Sequence, residues 1–189
     1  MKKSMKFLVG LLCRRARREW KLDRLRQLVY KDELTQIGNL RAFREETAHR
    51  IKSGKPFGIL YLDLDRFKKV NDTYGHRAGD KVLREVAGAL KNAALPGVHV
   101  FRLGGDEFAM IVPEASETGM ALLKLRREFD IAKRVRIGSF AVGASMGSAR
   151  FPEDGRTTTE LLDAADRRMY AEKARRKAEL PYTLAGDIC

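Results

Sequence analysis

Between two apolar runs, Val98 to Leu103 and Phe108 to Val112, the chain places Gly104, Gly105, Asp106 and Glu107. The runs read as strands, and a Gly-Gly pair between them as a tight hairpin. Glycine accepts positive φ and has no side chain, so a phosphate-bearing ligand can approach the backbone there. Asp106 and Glu107 are acids able to hold a divalent cation. An open, acidic turn inside an apolar sheet stabilises little but suits nucleotide–metal chemistry. A further acid, Asp63, ends the apolar run Phe57 to Leu62. A lone carboxylate there is either capped by backbone amides or paired with a cation, because burial disfavours its charge. If Asp63 and Asp106 meet across neighbouring strands, they repel unless a cation lies between them. Oxygen-only ligation beside a phosphate selects Mg2+ or Mn2+.

These residues need elements to hold them. Asn39 precedes a helix expected over about 40–52, which Gly54 and Pro56 break. The strand Phe57 to Leu62 follows, then a short helical turn from Arg66 to Val70 and a loop over 71–76. Val82, Leu83, Val86 and Leu90 share one face of a helix expected over about 77–93. After the hairpin, 117–130 reads as helix, 136–150 as one or two strands and 158–178 as a long helix, with a last strand near Tyr182. Helices and strands alternate, yet the two central strands form a hairpin. The pattern implies an α+β fold akin to a ferredoxin-like core, a mostly antiparallel sheet flanked by helices.

Residues Arg102 to Phe108 match, letter for letter, the signature of the GGDEF family, the diguanylate cyclases. The chain resembles that family elsewhere too. Phe67-Lys68, Asn71-Asp72, Gly75-His76 and Gly79-Asp80 follow its FK..ND..GH..GD run. Ala165-Asp166, Met169-Tyr170 and Lys173 follow its AD..MY..K helix, and Ser145-Met146-Gly147, Pro152 and Asp154-Gly155 fit the connection before it. Three departures stand out. Lys177 occupies a place where the family usually has Arg, which keeps charge but loses the bidentate fork. In the entry motif D.LTGL.NR, Gln36 replaces Gly and Leu40 follows Asn39. The family's inhibitory product site is an Arg-x-x-Asp ending five residues before the signature. Leu95 and Val98 stand at its two charged positions, so inhibition through that site should be absent.

The resemblance implies a nucleotide-cyclase palm that condenses two GTP into cyclic di-GMP and releases two pyrophosphates. It implies Mg2+ or Mn2+ held by Asp63, the Leu64 carbonyl and Asp106, with Asp106 or Glu107 as the base. The amides of Arg66, Phe67 and Lys68, with Lys173 and Lys177, would grip the β and γ phosphates, and Gly104 and Gly105 would make room for the α-phosphate. Asn71 and Asp80 would read guanine, whose N1–H and N2–H2 donors suit a carboxylate; His76 joins the nucleotide contacts or serves the loop. Singly, Asn71 reads as a turn residue, Asp80 as a helix-surface acid and Lys173 as part of a solvated basic face; together, at family spacing, they read as a site. Each domain holds one GTP, so the active species would be a homodimer with facing sites, joined through the N-terminal helix.

The chain has 189 residues, 44% hydrophobic and 33% charged, enough for one packed domain and an appendage. Its expected divisions are a basic helical arm over 1–31, a catalytic domain over 32–180 and a tail over 181–189. The formal net charge is +13, and residues 1–31 carry eleven Lys or Arg against Glu19 and Asp23, so the basicity belongs to the arm. Leu22, Leu25 and Val29, with Leu28 beside them, give that arm one apolar edge, which would pack on the domain or on a partner helix. Binding of anionic lipid or nucleic acid is the rival reading. Trp20 alone interleaves aromatics with the basic residues, which argues against sequence-specific nucleic-acid recognition. Phe7 to Cys13 is far short of the roughly 20 residues of a membrane span, and arginines follow it where a signal-peptide cleavage site would need small residues. Cys13 and Cys189 suggest no disulfide framework. A cytoplasmic location is expected, with peripheral contact at the inner face of an anionic membrane as an option. The alternative to catalysis is a GTP-binding module that signals by protein contact.

Overall fold

The structure is a computed structural model that describes residues 17, 20–21, 24–25, 27–113, 136–137 and 140–179, with backbone alone at 136–137, 140–141 and 176–179. The expected helix over 117–130 and strand near Tyr182 lie outside these residues. Helix α1 spans Leu40–Ser53. Asn39 caps it, accepting the Ala42 amide at 3.0 Å, and Gly54 ends it in the left-handed region at φ 70°. Strand β1, Phe57–Asp65, is buried along nearly its whole length, as its unbroken apolar run requires of a central strand.

Helix α2, Phe67–Tyr74, runs through residues that the sequence pattern reads as a loop. Phe67 and Val70 anchor it to the core, and the break is confined to Gly75, at φ 81° and ψ 163°. His76 therefore opens helix α3, His76–Ala93, rather than sitting in a loop. Strands β2, His99–Gly104, and β3, Glu107–Val112, form the hairpin. Its turn residues are Gly105 and Asp106, because a bulge between Arg102 and Gly104 brings Gly104 into register with Glu107. Strands β4, Arg136–Ile137, and β5, Phe140–Ala141, pair with each other; β6, Gly143–Phe151, then leads to helix α4, Thr158–Glu179.

The sheet order is β2-β3-β1-β6, with every neighbouring pair antiparallel. Strand β1 alternates Leu60, Leu62 and Leu64 against Val82, Leu83, Val86 and Leu90 of α3. Its other face packs Ile59 and Tyr61 with Phe43 of α1 and Leu161, Ala165 and Met169 of α4. Helices thus cover both faces of the sheet. Gly147 on β6 lets α4 lie against the strand backbone; a Cβ there would strike the Ala165 carbonyl and the Met169 amide. The free edge of β2 is stitched by the segment that enters the domain: the Gly38 amide donates to the Val100 carbonyl at 3.1 Å, and the Arg102 amide to the Gly38 carbonyl at 2.8 Å.

Candidate active site

Three acids gather where β1 ends and the hairpin turns. Register puts Asp63 opposite Glu107 on one side and Ser145 on the other. The turn is tied to β1 because the Leu64 amide donates to the Asp106 carbonyl at 3.2 Å. In an extended strand a residue's amide and carbonyl point the same way, so the Leu64 carbonyl also faces the turn. Lys173 reaches in from α4 and sets its Nζ 2.5 Å from Asp63 Oδ1. The Ser145 hydroxyl donates to Asp65 Oδ1 at 2.7 Å.

The electrostatics follow from this crowding. Asp106 is held above the ordinary aspartate range, first by burial and then by the charge of Asp63, with Lys173 and Arg102 opposing. Burial alone would lower the Lys173 ammonium, but its hydrogen bond to Asp63 and the charges of Asp63, Asp65 and Asp106 raise it on balance. An acid that resists ionisation through burial and the charge of a neighbouring acid marks a place where added positive charge is favourable. Two carboxylates and a backbone carbonyl form an oxygen donor set that fits Mg2+ or Mn2+. Among the described residues no group of three or more His, Cys, Asp or Glu is placed to hold a metal; such a site would need oxygens from a phosphate ligand or water.

The side expected to take phosphate is built from backbone. Arg66 adopts a left-handed conformation, φ 60° and ψ 24°, and turns the chain from β1 into α2. The first amides bonded into that helix are those of Lys69 and Val70, both to the Arg66 carbonyl. Those of Phe67 and Lys68, ahead of them, have no acceptor within the helix. Gly104 and Gly105 face open space, and Gly105 has φ +47°. Lys177 stands one turn beyond Lys173 along α4.

Asn71 and Asp80 come from different helices, and Gly79 lets them approach. A Cβ at residue 79 would collide with the Asn71 side-chain oxygen. Asn71 therefore lies against α3 one residue from Asp80, and both are half-buried. His76 is exposed at the first position of α3. On the far side of α3, Leu95 and Val98 close a turn through the Val98 amide and Leu95 carbonyl, 3.0 Å apart.

Two connections escape a reading of motifs alone. Arg102 spans from the domain entry to the signature turn: Nη1 donates to both Asp32 oxygens at 3.1 and 3.2 Å, and Nε and Nη2 donate to the Gly105 carbonyl at 3.0 and 2.7 Å. Asp32 also accepts from the Thr35 amide and hydroxyl. A lone Asp at the domain entry and a lone Arg just before the glycines were the available signal. Tyr61, two residues before Asp63, was hidden among aliphatic neighbours. The arm is fastened by Asn39, whose Nδ2 donates to the Val29 carbonyl at 2.8 Å, and by the Tyr30 hydroxyl on Glu45 at 3.0 Å. Its apolar edge does not pack on the domain at Leu25 and Leu28, which are 51% and 68% exposed.

The family model described as "Diguanylate cyclase, GGDEF domain" matches residues 29–179. The chain is 36% identical over 159 residues to diguanylate cyclase DosC of Escherichia coli, covering 79% of this chain and 34% of that one. It is 36% identical over 155 residues to cyclic di-GMP phosphodiesterase PdeR of Escherichia coli, covering 80% of this chain and 23% of the relative. The chain thus spans about a third and about a quarter of the length of these two relatives. Among solved structures, the coiled coil and GGDEF domain of DgcB from Caulobacter crescentus, in complex with c-di-GMP, superposes with a TM-score of 0.75 at 30% identity, covering 89% of this chain and 93% of that one. The family match and these likenesses cover most of the chain, which belongs to the GGDEF family of diguanylate cyclase domains.

Proposed function

We propose that this chain is a diguanylate cyclase that joins two GTP into cyclic di-GMP. The observation that carries the reading is the meeting of Asp63, Asp106 and Lys173 at one end of the sheet, beside free helix amides and open glycines. In each half-reaction a 3′-oxygen bonds to the α-phosphorus of the other nucleotide, the bond from that phosphorus to the β-phosphate bridge breaks, and pyrophosphate leaves. Lys173, Lys177 and the amides of Arg66, Phe67 and Lys68 bind the β and γ phosphates. Gly104 and Gly105 leave room for the α-phosphate. Asp80 accepts from guanine N1–H and N2–H2, with Asn71 beside it; adenine would leave that carboxylate unpaired. Asp106 or Glu107 takes the proton from the attacking hydroxyl. Asp63, the Leu64 carbonyl and Asp106 would hold Mg2+, which when bound screens the triphosphate and makes the hydroxyl more acidic.

A ring made from two nucleotides requires two domains facing each other, each holding one GTP. The exposed apolar edge of the arm, within 1–31, suits a partner helix of a second copy. Leu95 and Val98 lack the charges to bind a product phosphate, so added cyclic di-GMP should not inhibit through that turn. The second reading, a GTP-binding module without turnover, is favoured by one fact: the same region is shared with a relative named for phosphodiesterase activity. Incubation of the purified chain with GTP and Mg2+, with ATP in parallel, separates them. The cyclase reading expects pyrophosphate and cyclic di-GMP from GTP only. Tight GTP binding with no pyrophosphate released would leave the module.

A further inference from the structure

Tyr61 has no part in the scheme above, yet it shares a face of β1 with Asp63, two residues on. Its partners across the sheet are Ala109 on β3 and Gly147 on β6, both small. The ring therefore has room to lean along the sheet. Glu107 lies diagonally from it and directly opposite Asp63. That diagonal is within reach of an aromatic side chain. Tyr61 is only 8% exposed, so its hydroxyl needs a partner inside the protein. Glu107 is placed to accept from it: burial first, then hydrogen bonding to that carboxylate and its charge, hold the Tyr61 phenol above its ordinary range.

We propose that Tyr61 is a positioning residue of the catalytic centre, anchoring the Glu107 carboxylate so that it stays out of the space between Asp63 and Asp106. Like charges directly opposite each other in a sheet repel. Lys173 donates to Asp63 and Ser145 to Asp65; Tyr61, diagonal to Glu107 in the register, is the donor placed for the third acid on this face. Glu107 stays fixed, and Asp106 is the turn acid left to meet the nucleotide. Phenylalanine at this position would keep the ring and its packing but lose the donor, freeing Glu107 to swing toward Asp63.

The kinetic part of the inference rests on the cyclase reading; the contact itself does not. Pyrophosphate release is measured for the full chain and for Tyr61→Phe, with Mg2+ and GTP. The expected outcome is a kcat about 10-fold lower, the worth of one hydrogen bond to a charged group, with KM changed by less than about twofold. In parallel, Tyr61→Phe, Glu107→Gln and the double variant are melted as a thermodynamic cycle. If the two side chains act as one unit, the double variant melts no lower than the less stable single variant. Additive shifts in melting temperature, or a kcat within about twofold of wild type, would overturn the proposal. A wild-type chain that releases no pyrophosphate would overturn the cyclase reading instead, and the melting cycle alone would then decide on Tyr61.

Discussion

Asp80 bears the substrate choice in this reading. Truncated to alanine, it leaves the guanine N1–H and N2–H2 without an acceptor, a loss of about 1–3 kcal/mol. Asp80→Ala should therefore raise the GTP KM by about 10- to 100-fold and leave the weak response to ATP unchanged. Steady-state kinetics with both nucleotides checks this; equal losses for the two would remove guanine reading from Asp80. Asp32 acts on stability. Burial alone would raise its carboxyl, but the Thr35 hydrogen bonds and Arg102 bring it below the ordinary aspartate value. A carboxyl held low by the fold adds stability above its unfolded pKa, and that stability drains as pH falls through the folded value. The Asp32 contribution should be complete at neutral pH and disappear below roughly pH 4. Asp32→Asn should cost about 1–2 kcal/mol at pH 7 and progressively less toward acid. Denaturant melts of the two proteins across pH show whether their curves converge as acidity rises.

At the scale of elements, Gln36 explains a departure from the family pattern. It sits at φ 59°, a left-handed conformation that glycine adopts without strain. Its side chain offsets part of the cost by donating to the Glu33 carbonyl at 2.7 Å. Gln36→Gly should gain about 0.5–1 kcal/mol, a rise of a few degrees in Tm; a fall in Tm would show that the Glu33 contact outweighs the strain. Gly147 makes the opposite case. Any side chain there meets α4 backbone, and overpacking of this kind costs about 1–3 kcal/mol or more. Gly147→Val should push α4 off β6, lower Tm and weaken GTP binding together, because Lys173 reaches Asp63 only from that helix. Calorimetry paired with nucleotide titration would detect either loss alone.

Elements also show what a linear reading can and cannot see. The strands and their apolar faces were legible, since the unbroken apolar run of β1 and the helical spacing of Val82, Leu83, Val86 and Leu90 directly report burial. The site letters were legible because each motif lies within one short segment. The extension of α2 through Asn71 was not, because Asn, Asp and Thr favour turns locally and only the burial of Phe67 and Val70 overrides them. The hairpin bulge was missed because the glycine pair suggests the turn itself, whereas register with Glu107 moves the turn by one residue. Arg102 and Asp32 are 70 residues apart, and nothing local to either announces the other.

For the molecule as a whole, the proposed reaction would set the assembly. If the chain is the cyclase proposed, one domain carries half of the chemistry, so specific activity should rise with protein concentration until dimers saturate. Removing residues 1–31 should move that rise to higher concentration while GTP binding per chain is kept. Light scattering alongside rate measurements tests the link; a scattering-proven monomer with full specific activity would refute it. The basic arm adds a charge field with no sequence information, so any affinity for nucleic acid should fall steeply with salt.

The stitching of Gly38 to β2 sets a limit on how far the N-terminus can be pared back. Cutting before residue 32 keeps that seam. Cutting past Gly38 would bare the Val100 carbonyl and the Arg102 amide along an open strand border. Exposed borders of this kind recruit other chains into continuous ribbons. The entry segment is thus a selvedge: it keeps the sheet of one molecule from growing into the next.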